Sequence, residues 1–551
     1  MLNQLPVFWH RCAYLPSARS NQPKTLRLNL QLYFKLIIVS ALGLCGSNQR
    51  PCHAGDNLWL DIARSSITTN ELHSHASVLA DDTLEGREAG SRGGRAAAKY
   101  ILKSIESAEL RPGNGESFTQ KFHGRSQNLL AVLEGSNPDL RDEYIVVGAH
   151  YDHVGYGSRR NSFGPIGYIH NGADDNASGV ATLLEVIDAI TRSGHRPQRS
   201  ILFAFWDGEE KGLLGSKHWL NNSTVPLDAV KLMINIDMVG RLTGGRIELM
   251  GSRTAPGLRR ILSTTSLSEG TWVDFTWDLK DNSDHYPFYQ RGIPCLCFHT
   301  GLHDDYHRPS DDIEKLNIEG MREVSNYLLE QLCDLADTEI LPEFRSGSRG
   351  ENPSSQRRIE APLATIPSRL GFTWEYVDGE SSQLLVQHVQ RPASPDQPGL
   401  QSGDRILAVN GHPITNESLL PAAALQSESE LVLTIERDGN ELPEAITIPL
   451  QGQPVRLGLS WRGNEAEPDS VYITRVVPHS PAARAGIRLY DRIYSLDGQP
   501  ITGQDDLFAR VQSLLTSNTP RFHLEIESRG LVRSVEVSLE LPTTESGDAT
   551  L

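Results

Sequence analysis

Cysteine is scarce, with six residues in a chain of 551, which excludes a scaffold in which disulfides stand in for a core. Cys12, Cys45 and Cys52 fall in the first 55 residues, leaving Cys295, Cys297 and Cys333 for the body of the protein. Cys295 and Cys297 lie in an apolar stretch that reads as a buried strand, where residues two apart share a face but rarely close a bridge, so core thiols are expected. Positive charge is also short. Lys plus Arg is 52 against 69 for Asp plus Glu, a formal net charge of -17, so no nucleic-acid partner is expected. Long hydrophobic runs are missing too: the run Leu36–Cys45 has ten residues, well short of the about 20 a membrane helix needs. At 38% hydrophobic and 22% charged the chain can bury real cores, and at about 100 to 200 residues per domain it has room for about three.

Acidic residues are absent from the first 55 positions, which carry Arg11, Arg19, Lys24, Arg27, Lys35 and Arg50. This basic leader, the short apolar run behind Lys35 and the small-x-small pattern Cys52-His53-Ala54 ahead of Gly55 read as an export signal over residues 1–54. The mature protein is expected in the periplasm or outside the cell, with no stable membrane span. The alternatives are an uncleaved anchor, a later start codon, or a lipid on Cys45. Against the lipid, Leu44 stands where lipoprotein signals resemble one another in having a small residue.

Between residues 55 and 337 apolar strands alternate with helices. Strand patterns occur at 129–133, 144–148, 201–206, 231–238, 246–250 and 293–298, while Val180, Leu183, Leu184, Ile187 and Ile190 have helical spacing, and 96–110 and 318–335 also read as helices. The predicted fold class is α/β, a mostly parallel sheet flanked by helices. Residues 338–362 crowd Pro, Ser, Gly and Arg together and read as a linker. Beyond it the chain repeats itself: Arg369-Leu-Gly-Phe-Thr-Trp374 returns as Arg456-Leu-Gly-Leu-Ser-Trp461, and the stretch Gly399 to Gly411 returns as Gly486 to Gly498, both 87 residues on. A repeat this long predicts two small domains, over 363–451 and 452–542, with a tail at 543–551.

The chemistry gathers at strand ends. His150 closes the apolar strand 144–147 within Gly148-Ala-His-Tyr-Asp-His-Val-Gly155, where open α/β sheets place their sites. Gly172-Ala-Asp-Asp-Asn-Ala-Ser-Gly179 opens a helix, Asp207-Gly-Glu-Glu210 follows the strand 201–206, Asn235-Ile-Asp237 ends another, and Asp305-Tyr-His307 follows the cysteine-containing strand. Two imidazoles with several carboxylates and no thiolate suit zinc or a similar first-row ion, though ligand type alone does not select among those ions. An excess of carboxylates lets one bridge two metals, a machine for amide hydrolysis.

These five motifs resemble, in order, those of the two-zinc aminopeptidases related to glutamate carboxypeptidase and transferrin receptor, over about residues 75–335. The resemblance implies two zinc ions, with His150 and Asp237 on one, Glu210 and His307 on the other, and Asp175 bridging. It implies Glu209 as general base and Asp152 as the carboxylate that orients the His150 imidazole or tunes its metal. Asp174 is expected at the helix start, and Tyr306 and Arg308 are expected to hold their loop. His153, His170, His285 and His303 are expected to be solvated and are left out of the ligand set, and Ser283-Asp-His285 is expected near the substrate pocket.

The repeated units resemble PDZ domains of the bacterial protease type. That resemblance implies that Leu370, Gly371 and Phe372 in the first, and Leu457, Gly458 and Leu459 in the second, offer backbone N–H groups to a peptide's C-terminal carboxylate. The second unit departs at Tyr490, where the first has Gly403. The function expected is an exported zinc aminopeptidase acting on peptide or protein substrates, its PDZ units binding peptide C-termini or gating access. The alternatives are a glutaminyl cyclase or a carboxypeptidase on the same fold, for the latter of which Arg241 is the nearby cation, or a non-catalytic peptide-binding scaffold.

Overall fold

The structure, a computed structural model, describes residues 58–377, 382–390, 399–442, 445–517 and 519–542. The expected leader over 1–54 and tail over 543–551 lie outside the described residues.

A nine-stranded sheet carries the first half of the chain: β1 (Arg111–Pro112), β2 (Thr119–Phe122), β3 (Ser126–Leu133), β4 (Tyr144–His150), β5 (Ser200–Trp206), β6 (Val230–Ile236), β7 (Arg246–Met250), β8 (Trp272–Thr276) and β9 (Cys295–His299). The order is β1-β3-β5-β4-β6-β9-β7-β8, with β2 paired to β3. The four central strands, β5, β4, β6 and β9, are parallel, and β3 and β7 run antiparallel against their edges. All seven residues of β5 and all five of β9 are buried, which explains their unbroken apolar runs: helices cover both faces. Ile145 and Val147 join the core with Val180, Leu183 and Leu328 of the helices Gly179–Ser193 and Ile318–Asp337, while Val146 between them packs in a second cluster with Trp206, Trp219 and Phe288. Cys295, Cys297 and Cys333 are buried free thiols. The helix expected over 96–110 runs from Arg92 to Glu106, because Ser91 caps its first turn by accepting from Gly94 N.

Because the central strands are parallel and adjacent, their carboxyl ends open on one edge. His150 pairs across from Trp206, Gly148 from Asn235 and Ile236 from Phe298, so the loops after four strands meet there.

Two smaller sheets follow, each with its own core. The first spans strands from Phe372–Val377 to Ile446–Pro449 with the helix Leu419–Gln426, and the second spans Leu459–Asn464 to Leu531–Ser538 with the helix Gln504–Thr516. The repeat in sequence is a repeat in structure: strand Phe372–Val377 returns as Leu459–Asn464 and Arg405–Val409 as Arg492–Leu496.

The stretch read as a linker is built, not loose. It holds the helix Pro353–Ile359, capped by Asn352, and Glu351 there takes a bidentate pair from Arg253 at 2.8 and 2.8 Å. The second small unit is docked on the large sheet's domain. Gly257 N donates to Ala466 O (2.8 Å), Val273 N to Arg529 O (2.8 Å) and Val532 N to Thr264 O (2.8 Å), while Arg259 pairs with the buried Glu527. Arg253 also reaches Glu467 of that unit (3.3 Å) and stacks on Trp277, 3.6 Å from the ring centre.

Candidate metal centre

Two donor sets converge at the edge where the parallel strands end. Among the described residues, His150, Asp175 and Asp237 form one cluster and His153, Asp175, Glu210 and His307 the other. His150 Nε2 lies 3.4 Å from Asp175 Oδ1 and 3.3 Å from Asp237 Oδ1. On the far side of the same carboxylate, Asp175 Oδ2 is 3.1 Å from His307 Nε2, which is itself 3.1 Å from Glu210 Oε1. Asp175 thus belongs to both clusters through different oxygens. Its loop is fixed by Asp311, whose Oδ2 accepts from the backbone N of Asp174 and of Asp175 at 3.0 Å each. The peptide joining Asp175 to Asn176 is cis.

The donors fit a pair of cations. His150 Nδ1 lies 3.1 Å from the backbone carbonyl of Asp152, a group that can only accept, so Nδ1 carries a proton. In the neutral ring Nε2 then presents its lone pair to two carboxylate oxygens, an arrangement of acceptors that a cation between them resolves. The site also buries Asp152, Asp175, Glu209 and Asp237 at 9% exposure or less, and such charges need compensation in a dry interior. The buried cation behind them, Arg87, donates to carbonyls instead, to Tyr151 (2.9 Å), Leu79 (2.6 Å), Asn171 (2.5 Å) and Gly172 (2.9 Å). Imidazole nitrogens and carboxylate oxygens without thiolate form a set suited to zinc.

In the protein alone these groups compensate one another. Burial pushes the Asp175 carboxyl up, but His153, His150 and His307 around it hold it well below the usual carboxylate range. Burial pulls His307 down, yet its hydrogen bonds to Asp175 and Glu210 hold it up at about 10. Glu209, in no ligand cluster, goes the other way: burial holds its carboxyl well above the ordinary range, with His150 pulling against it. Asp284 is likewise raised to about 6 by burial, offset by His150 and Ser216.

Several expectations need correction. His153 is 1% exposed and His170 and His285 are fully buried; the loops that carry them fold inward under the sheet edge. His153 joins the second cluster, its Nδ1 2.9 Å from Glu210 Oε1. His285 is held by Lys280 O (2.9 Å), and burial lowers its pKa to about 4. His303 is half-buried, with Nε2 3.1 Å from Asp174 Oδ2. The Asp152 carboxylate stands beside His150, with Oδ1 3.9 Å from Nδ1, and accepts from Glu209 N at 3.0 Å. Asp152 therefore reaches His150 through its carbonyl and Glu209 through its side chain. Asp174 lies, as expected, in the first turn of the helix Ala173–Ser178, where its Oδ1 accepts from Ser178 Oγ at 3.0 Å and also ties the loop after β6 by accepting from Gly240 N at 2.6 Å. Tyr306 stacks on His307 with ring centres 3.9 Å apart, and Arg308 donates to Phe163 O at 2.8 Å, so both hold their loop. Arg241 Nη2 is engaged by Asp305 and Asp311 at 3.2 Å each.

The cleft beside the clusters is lined by Glu209, Met238, Met250, Lys280, Asn282 and Leu302 among others. In the second small unit Arg456, Leu457, Gly458 and Leu459 line a separate groove of about 700 Å³, closed on its other side by Phe508 and Val511 of the helix Gln504–Thr516. Tyr490 lines no part of that groove. It takes the left-handed backbone conformation of Gly403, with φ of 71° against 93°. In the first unit Gly371 O accepts from Gln390 N at 2.9 Å, Phe372 starts the strand Phe372–Val377, and Leu370 packs in the core.

Residues 128–332 match peptidase family M28, and residues 359–436 and 472–527 each match a PDZ domain. Leupeptin-inactivating enzyme 1 of Streptomyces exfoliatus is 26% identical over 243 residues, 44% of this chain and 50% of that protein. Aminopeptidase YwaD of Bacillus subtilis (strain 168) is 27% identical over 256 residues, 42% of this chain and 52% of that protein. The chain spans about half the length of these curated relatives. Among solved structures, the LapA aminopeptidase of Legionella pneumophila aligns with a TM-score of 0.41 at 21% identity, covering 51% of this chain and 75% of that one. All the residues of both donor clusters fall inside the span that matches peptidase family M28, and the two spans that match PDZ domains lie on its C-terminal side.

Proposed function

We propose that this chain is an exported zinc aminopeptidase that hydrolyses the N-terminal peptide bond of peptides or proteins. The observation that carries the reading is Asp175, which turns one oxygen to each of two donor clusters, beside a buried Glu209 that belongs to neither. His150, Asp175 and Asp237 would hold one zinc, and Asp175, Glu210 and His307 the other. Bound there, the pair would polarise the scissile carbonyl and bring the pKa of a water toward about 7. Glu209 takes the proton from the attacking water on its carboxylate and passes it to the departing amine; its burial, which favours the protonated form, suits a group that must accept and then release a proton near neutral pH. Asp152 holds the backbone of Glu209 in place. The carboxylates that line the cleft suit a substrate's α-ammonium.

The leader over 1–54 supports export to the periplasm or beyond, and the peptidase domain is taken as 55–337. The groove at Leu457–Leu459, which Arg456 also lines, supports capture of peptide C-termini by the second PDZ unit, and Leu370–Phe372 would play the same part in the first. The test is zinc-loaded protein from residue 55 onward, assayed on aminoacyl amides, N-blocked peptides and C-terminal substrates. Cleavage confined to free amino termini, lost to chelator, is expected; cleavage of N-blocked substrates, or cyclisation of N-terminal glutamine instead, would overturn it.

A further inference from the structure

We propose that His153 is itself a metal ligand, so that the two sites are unequal: four protein donors (His153, Asp175, Glu210, His307) at one and three (His150, Asp175, Asp237) at the other. The inference rests on the two-zinc reading and goes beyond it.

Donor spacing is the first argument. A tetrahedral zinc with bonds of about 2.0 to 2.1 Å has neighbouring donors about 3.3 to 3.4 Å apart. His153 Nδ1 stands 2.9 Å from Glu210 Oε1 and 3.7 Å from Asp175 Oδ2, and His307 Nε2 stands 3.1 Å from each of the same two oxygens. The two imidazoles therefore address one pair of oxygens from two directions, as the faces of a tetrahedron require. Their rings cross at 78° with centres 5.5 Å apart, which lets both nitrogens point at a common centre.

The way the ring is held is the second argument. Its side chain is fully buried, and the ring turns Nδ1 toward Glu210 Oε1 and Asp175 Oδ2. Its backbone is clamped: His153 N donates to Arg87 O (3.3 Å) and Gly155 N to Gly86 O (2.9 Å). Arg87 in turn ties Tyr151 O to Asn171 O and Gly172 O, joining the His153 loop to the loop that carries Asp175. Gly172 leaves the ring its room, since a Cβ there would come within 2.5 Å of His153 Cδ2. Zinc sites with four protein donors are closed, whereas those with three keep a position open to water. On this assignment the three-donor site is the one left open to solvent and substrate, and the four-donor site fills first and holds its ion more tightly.

X-ray absorption at the zinc edge of the full zinc-loaded protein reads the imidazole count directly. Three imidazoles shared between two zinc ions are expected, falling to two in His153→Phe, with the tighter of the two zinc affinities, read by chelator competition, weakened more than about 100-fold, beyond what loss of an outer hydrogen bond does. Two zinc ions with two imidazoles in the unaltered protein would overturn the assignment while sparing the two-metal reading; failure to bind zinc at all would overturn both. The unaltered protein decides the matter even if the variant does not fold.

Discussion

Ser283 donates its hydroxyl to Oδ2 of Asp237 over 2.6 Å, and Asn235 Nδ2 donates to Ser283 Oγ over 2.7 Å. Asp237 thus offers Oδ1 to the cluster at His150 while its other oxygen is fixed from behind. Such outer partners orient a ligand and tune its basicity. Ser283→Ala is expected to weaken zinc at the His150 cluster about 10- to 100-fold and leave the other site unchanged, as read by competition with a chromophoric chelator. Equal weakening of both sites would mean that Ser283 acts on the fold and not on Asp237.

Glu209→Gln separates chemistry from binding. The amide keeps the shape of the side chain but cannot accept the water's proton, so turnover is expected to fall by about 10²- to 10⁴-fold with two zinc ions retained. Because burial already disfavours the charged carboxyl, the neutral variant is expected to unfold at a temperature no lower than the parent. Full turnover would remove Glu209 from the mechanism.

Much of this site is legible in the amino-acid sequence. His150, the Glu209–Glu210 pair and Asp237 each follow an apolar run that could only be a buried strand, and parallel topology brings such strand ends together. His153 is not legible in the same way, because residue type argues for exposure and nothing in a single sequence marks the loop after β4 as turning inward. Arg87 is hidden for a related reason: its partners are all backbone carbonyls, which carry no residue identity to pair with. Short elements such as the helices Leu58–Ser66 and Leu214–Asn221 and the strand Trp272–Thr276 are held by tertiary packing more than by periodicity. At Tyr490 the repeat itself misleads, since the structure keeps the left-handed turn of Gly403 with a residue type that rarely adopts it.

Gly86 is where the loop of His153 meets the rest of the fold. Its φ is +67°, and a Cβ there would lie 2.5 Å from both Gly155 O and His170 O, so alanine must either strain the backbone or push the Gly155 segment away. Gly86→Ala is expected to lower stability by about 1 to 3 kcal/mol and, by shifting His153, to weaken zinc at the second cluster more than at the first. A thermal shift without a selective change in zinc affinity would argue that the loop adjusts and His153 stays put.

Glu467 tests how firmly the second PDZ unit is fixed to the peptidase domain. It is 6% exposed and meets Arg492 Nε at 3.0 Å and Arg253 Nη1 at 3.3 Å. Burial pushes its carboxyl up, but Arg492, Arg259 and Arg253 hold it down at about 2 against an ordinary 4.5. That gap corresponds to about 3 kcal/mol of stability. Because the folded value is the lower one, the contribution is present in full above pH 4.5 and fades as the pH falls toward 2. Glu467→Gln is therefore expected to lose about 3 kcal/mol at pH 7, and the difference from the parent should narrow below about pH 4.5. Denaturant midpoints of the two proteins across pH 3 to 7 make the comparison. A difference constant over that range would mean that the glutamate is held by shape and not by charge, and that the PDZ unit stays docked without its arginine partners.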